Sequence, residues 1–557
     1  MHTRFGLAAA FIITCLGILY LLPAATEGPV PSPPPAEATA IPAEHADTNG
    51  LAAEQVLHRG NFLEPETLDP HKARGAEAAN ILRDLYEGLT REGADGSILP
   101  GVARSWEVSE DALRHTFHLR PDARWSNGDP LTAADFVFAF RRSVDPATGS
   151  VFADYFRVIR GADDVLEGGA VEQLGVHARD AHTLVIELIR PVPYLHDLLA
   201  HHSTYPVHRP SLEQHGERFT RPEHHVGNGA FRLVDWRVND VMHLAANPEY
   251  WDAAAVRLSD VYYYPIDDSE AEYNRFRAGQ LDITQTLPVA RYRQLAEDSP
   301  EALRVAPYLS TYYYGLNVQQ PPFKGAPGLR RALSLVIDRD VIADKVLGIG
   351  ELPSWSLTPP GMAGYPEVRL DYADWPMAQR LAEARELYAA AGYDEDQPLE
   401  LEVRINSGEV HRKVALAVST MWRQALGVET RIISEEWRVF VQTRRQRQDT
   451  QVYRAGWVGD YNDPLTFLQT LLPGSPVNDT GYSSEQYART MLLANEERDP
   501  ERRMERLAAA ERLMLADHPV IPLYVYVSKH MVAPHVGGWE DNIMDHHPSR
   551  DLFIRAH

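Results

Sequence analysis

The sequence has one cysteine, Cys15, and it lies in an N-terminal apolar segment. The rest of the chain can therefore form no disulfide, no thiol chemistry and no cysteine-based metal site. Positive charge is in deficit: 54 Lys and Arg stand against 78 Asp and Glu, for a net charge of −24. A nucleic-acid binder needs a basic face, so composition argues against that partner. Catalytic signatures are missing too. There is no G-x-S-x-G elbow, no H-E-x-x-H and no phosphate loop. Gly348-Ile-Gly350 lacks the third glycine of a dinucleotide fingerprint. A peptidase or other hydrolase would need a nucleophile or a metal, and neither constellation is found. The chain reads as a non-enzyme.

What is present fits a folded, soluble body. Hydrophobic residues make up 44% and charged residues 24% of 557, too long a chain for one core, so two or three lobes are expected. Phe5 to Ala25 is a 21-residue run without a charge, preceded by Arg4. Its length suits either an uncleaved membrane anchor or a cleaved secretory signal. Residues 26–50 follow, with six prolines. They read as an extended spacer that reaches at most roughly 75 Å at about 3.1 Å per residue. A spacer is of more use to an anchor than to a removed signal. Either way the body is exported.

Within the body, Thr132 and Asp135 form a capping-box pattern ahead of a helical stripe, Phe136, Val137, Phe140 and Val144. LELEVRI (399–405) alternates as a half-buried strand does. Val414, Val418, Met421, Trp422 and Ala425 mark a helix that Gly427 ends, and VETRII (428–433) is the next strand. That strand–helix–strand unit suits a right-handed parallel crossover. EEWRVFVQTRRQ reads as another helix and QVYRAGW as another strand. The body is thus mixed α/β. In open α/β sheets ligands gather beyond the carboxyl ends of strands. The stretch VYRAGWVGDYNDP (452–464) puts Asp460 at such an end, among aromatics and glycines. The runs Tyr262–Tyr264, Tyr312–Tyr314 and LYVYV (523–527) read as β-rich, mostly core, with some rings free to line a cleft. Three histidine pairs, 201–202, 224–225 and 546–547, sit near Pro or Gly and read as solvated loops.

Ten segments now carry a resemblance. LDPHK (68–72), LYEGL (85–89), PGVARSWEVS (100–109), TFHLRPDARWSNGDPLTAADF (116–136), RSVDP (142–146), PVPY (191–194), VGNGAF (226–231), TYYYGLN (311–317), RALSLVIDRD (331–340) and RAGWVGDYNDP (454–464) resemble the periplasmic oligopeptide-binding proteins of ABC importers. The likeness spans about 55–557. It implies the type II periplasmic-binding-protein fold, two α/β lobes closing on ligand plus an inserted domain. Domain I would be 51–86, 205–308 and 527–557, domain II 87–204, and domain III 309–526. Ligand would bind between I and III, which close by hinge motion.

The resemblance also implies site roles. Asp460 would bind the peptide α-ammonium. Gly456 and Val458 would pair with peptide backbone as an added strand. Trp457, Trp437 and Phe152 would wall side-chain pockets, and Tyr312 would be a further ligand-binding residue. Arg454 and His411 would be the cations for the carboxylate of peptides of different length, with Arg444 as another pocket arginine. The HKARGAE segment brings Arg74, Gly75 and Ala76 near the ligand. Arg74 departs from the family, which carries an acid there, and implies a shift toward acidic or neutral peptide side chains. No cofactor or metal is implied. The implied partners are short peptides with a free N-terminus and an inner-membrane ABC permease, for a monomer in the periplasm. Murein peptide, an antimicrobial peptide or another small solute on the same fold stands as the alternative. A holding chaperone is the reading from another class.

Overall fold

The structure, a computed structural model, describes residues 50–362, 364–448, 450–459 and 461–557. The N-terminal apolar segment, residues 26–49 of the spacer and Asp460 lie outside the described residues. No helix among the described residues is long and apolar enough to cross a membrane.

Three larger sheets organise the body. Val56–Gly60, Asp260–Tyr264, Val241–Ala246 and Phe231–Arg237 form one, in that spatial order. Its first pair is parallel and the others antiparallel. A second, fully antiparallel sheet orders Ala103–Val108, Arg114–Leu119, Thr183–Glu187 and Val176–Asp180. The expected capping box precedes the helix Ala133–Val144, where the Asp135 carboxylate accepts from Thr132 N and Oγ1 at 2.8 and 2.9 Å. Phe136, Phe140 and Val144 of the stripe are buried.

The third sheet has six strands: β1 (Leu303–Leu316), β2 (Leu352–Pro353), β3 (Glu400–Asn406), β4 (Glu429–Glu435), β5 (Val452–Val458) and β6 (Val520–Met531). Their order is β2-β6-β1-β5-β3-β4. The crossover unit expected from the sequence is there. Strand β3 leads into helix α1 (Glu409–Leu426), which returns to β4, parallel to β3. Val414, Val418 and Trp422 are buried along α1, and Gly427 ends it at φ +75°. Strand β4 then feeds helix α2 (Trp437–Gln446), and β5 runs parallel to β3. All three parallel strands therefore end on one edge, at Asn406, Glu435 and Val458. The long strand β1 runs antiparallel to β5 and β6 and joins the halves of the sheet.

The histidine pairs are not the solvated loops expected. His202 and His225 are buried, and neither ring nitrogen of His225 has a partner. His546 and His547 are only partly exposed and meet Glu92 and Asp545. Their loops lie between packed elements, which residue-by-residue polarity does not reveal.

Burial leaves a titration signature. It drops the pKa to about 4 at His71, His115, His196, His202, His225 and His518. Unfolded histidine titrates near 6.5, so the unfolded chain binds the extra protons. Stability is thus full above about 6.5 and falls as pH drops toward 4. Asp197 opposes this in part, because burial and then Asp463 raise its carboxyl to about 7. Thermal unfolding at pH 7.5 and 5.0 should show a loss of roughly 2 kcal/mol or more at the lower pH.

Candidate functional site

The site grows from one register. Strand β5 pairs with β1 so that Val458 faces Ser310, Trp457 faces Thr311, Gly456 faces Tyr312 and Arg454 faces Tyr314. Side chains alternate along a strand, so Arg454 and Tyr453 leave by opposite faces. The guanidinium of Arg454 lies 5.0 Å from the Tyr312 ring and its Nη2 donates to Tyr526 Oη at 3.2 Å. Tyr312 is fully buried and stacks on Tyr524 at 4.4 Å. Helix α1 begins at the same sheet edge and brings His411 onto Tyr312, with rings 5.7 Å apart and Nδ1 3.4 Å from the phenol oxygen.

This cluster is electrostatically unbalanced. Among the described residues, no carboxylate lies within ion-pair distance of Arg454, and its Nε is buried without a hydrogen-bond partner. Burial works against its charge, but Tyr312, Tyr526 and Tyr524 outweigh burial and raise its pKa. His411 goes the other way. Burial and then the charge of Arg454 lower it to about 4. At neutral pH the ring is uncharged here, so His411 is a hydrogen-bonding group and not the cation expected.

Arg444 is placed elsewhere. Its Nε lies 2.6 Å from Asp479 Oδ2, and its guanidinium lies over Phe440 and Tyr453. It therefore belongs to the Tyr453 face of the sheet, opposite Arg454, with a carboxylate partner in place. Trp437 opens α2 and is 49% exposed, and Val458 is 53% exposed. Trp457 is partly buried, with Nε1 3.4 Å from Thr466 Oγ1. Phe152 packs edge-on against His201 and His202 at 4.7 and 5.2 Å. Arg74, Gly75 and Ala76 are exposed at the start of the helix Gly75–Leu85, with Gly75 at φ +80°. The structure thus gathers Arg454, Gly456, Tyr312 and His411, and sets Trp437 and Val458 at the same strand ends. It does not bring Arg444 to them.

Two supports had not been singled out. Tyr526 bonds Arg454 directly; the LYVYV run was its signal. Asp463 forms a two-pronged buried ion pair with Arg503, at 2.5 and 2.9 Å, and its Oδ1 accepts from Leu465 N. That pair pins the turn following Tyr461, whose ring stacks on Tyr194 at 4.1 Å. Asp463 was visible only as the second acid of DYNDP.

Residues 97–479 match the bacterial extracellular solute-binding proteins, family 5 (middle). The chain is 40% identical over 512 residues to the periplasmic oligopeptide-binding protein OppA of Escherichia coli K12, covering 91% of this chain and 94% of that one. Its structure resembles the unliganded open form of the periplasmic murein tripeptide-binding protein MppA, with a TM-score of 0.87 at 37% identity over 91% of this chain and 99% of that one. Haemophilus influenzae OppA in complex with RPPGFSPFR matches at 0.68, with 35% identity over 90% and 99%.

Close packing makes one position testable. A Cβ at Gly456 would stand 2.9 Å from the Thr311 carbonyl oxygen, which is backbone and cannot swing aside. Gly456→Ala should lower stability by about 1–3 kcal/mol in thermal unfolding. Val458→Ala, at an exposed position of the same strand, should stay within about 0.5 kcal/mol.

Proposed function

The chain belongs to the family 5 bacterial extracellular solute-binding proteins, and on that premise we propose that it captures short oligopeptides and delivers them to an inner-membrane ABC permease. It makes and breaks no bond. The observation that carries this reading is Arg454: a largely buried cation with no carboxylate partner among the described residues, beside the bare backbone of Gly456. A buried charge left unpaired is costly, so the site is suited to a ligand that brings an anion. A peptide of any sequence offers three constants: an ammonium, a carboxylate and a backbone. Asp460 takes the ammonium, Gly456 and Val458 the backbone, and Arg454 the carboxylate.

In this reading domain I is 51–86, 205–308 and 527–557, domain II 87–204 and domain III 309–526. Strands β1 and β6 then cross from I to III, and closure bends them. The fit to an open unliganded relative over a peptide complex, at nearly equal identity and coverage, supports a hinge between two states. The protein works as a monomer in the periplasm, held near its permease if the N-terminal segment stays uncleaved. A murein peptide is the second reading, favoured by the likeness to MppA.

Calorimetric titration of ligand-stripped protein with a mixed tripeptide and its N-acetylated twin tests the core of this. The free form should bind and the acetylated form should not. Asp460→Ala should weaken the free form by roughly 2–5 kcal/mol; unchanged affinity would refute the ammonium assignment. The second test concerns peptides whose carboxylate reaches His411. That anion raises the pKa of His411 from about 4. The complex then binds a proton that the free protein lacks, so affinity rises as pH falls from 7 to 5. Equal affinity at both pH values for every peptide length would remove His411 from the ligand.

A further inference from the structure

His530 lies four residues beyond Tyr526 on β6, away from the cluster on Arg454. The chain's C-terminal segment folds back across it and delivers Asp545 and His547. His530 Nε2 and His547 Nε2 point to the same oxygen, Asp545 Oδ1, at 2.7 and 3.2 Å. The ligand atoms of the three residues all lie within 4.8 Å of one another. We propose that His530, Asp545 and His547 form a binding site for one divalent transition-metal ion, with zinc the best match.

The donor set is the first reason. Two imidazoles and one carboxylate are the ligands of a borderline ion such as zinc. Three protein ligands leave a fourth position for water. Donors about 2.0–2.2 Å from a tetrahedral ion stand roughly 3.3 Å apart, so the 2.7 Å pair must open by about 0.6 Å, the 3.2 Å pair hardly moves, and the two imidazole nitrogens start within 4.8 Å of each other.

The supporting shell is the second reason. His530 Nδ1 meets the Thr284 carbonyl at 2.8 Å, which turns Nε2 toward the ion position. Metal-bound histidines are oriented by this kind of contact. The His547 ring stacks on Trp539 at 3.6 Å, and His530 meets the same indole edge-on. Asp545 sits at φ +56°, a conformation that Asp tolerates better than most residues. Asn542 holds that turn: its Oδ1 accepts from Met544 N and His546 N, and its Nδ2 donates to the His546 carbonyl. All three side chains are thus oriented before any ion arrives.

One term opposes. Arg59 Nη1 donates to the His547 carbonyl at 2.9 Å and brings positive charge close. The buried Asp84, bonded to Ser549 N beside it, offsets part of that charge. The competing account is that the three residues simply share protons, with His530 donating from both nitrogens. That network would bind no metal, and the two accounts therefore separate cleanly.

The test is titration of the chelator-treated full chain with Co²⁺, followed by visible absorption. We expect one equivalent bound, with the intense band of a four- or five-coordinate ion, displaced by Zn²⁺. His547→Ala and Asp545→Asn should each weaken binding by about 100-fold or more with unchanged circular dichroism. The wild-type spectrum needs no variant to be read. Absence of the band, or its survival in both variants, overturns the proposal.

Discussion

The register that sets Gly456 against Tyr312 governs the candidate site. A strand repeats every two residues, so a slip of one would turn every β5 side chain to the other face. Arg454 would leave Tyr312 and Tyr526, and Tyr453 would enter in its place. The register is held from both sides. Tyr312 and Tyr314, fully buried, and Tyr313, nearly so, anchor β1 in the core. Gly459 donates to the Leu309 carbonyl at 2.7 Å, and a Cβ there would strike Leu309 at 2.5 Å. The two faces then diverge in character. One holds Arg454, Tyr312, Tyr526 and His411, with no acid among the described residues within ion-pair distance of the cation. The other holds Arg444, Tyr453 and Asp479, already paired.

That asymmetry explains why two arginines ten residues apart serve different ends. Arg444 with Asp479 is a closed ion pair stacked on Phe440 and Tyr453, and its worth is to packing. Arg454 is kept charged by phenol oxygens and a ring face. Such contacts are weaker than a carboxylate and easily outbid by one. A site must hold its cation in place without satisfying it, and tyrosines do that. Burial and then the same cation suppress the charge of His411, so of these two groups only Arg454 is charged in the unliganded protein at neutral pH.

Local pattern made much of the scaffold legible. The β3–α1–β4 unit follows from alternation, a helical stripe and Gly427; the Thr132 box follows from two residues three apart. The pairing of β1 with β6 was not legible, because their partners lie some two hundred residues apart and no periodicity encodes a contact at that range. Pairs much nearer in sequence were hidden too, Asp479 from Arg444, Arg503 from Asp463 and Asp545 from His530, because a side-chain contact between separate elements leaves no periodicity at any range. The histidine pairs misled for a related reason. Neighbouring Pro and Gly mark a loop, but whether a loop meets water or another element is a tertiary fact. Motif resemblance named Arg454, Gly456 and Tyr312 as site residues, and the structure sets them side by side, yet the resemblance could not say which face Arg444 takes or that His411 is neutral.

Exposure at the strand ends completes the physical picture. Val458 presents apolar surface two residues from the bare backbone of Gly456, and Trp437, at the start of α2, is exposed as well. Covering Trp437 alone removes a large ring from water, at about 25 cal/mol per Å² of apolar area. None of that energy depends on which side chain covers it. In the proposed reading, a receptor built this way draws its affinity from charge ends, backbone and nonspecific apolar contact, and leaves sequence preference to the pocket walls. The cost is that each term is modest until the two lobes meet. In the proposed reading, closure is then the event that sums them, by excluding water from Arg454 and covering the exposed Val458.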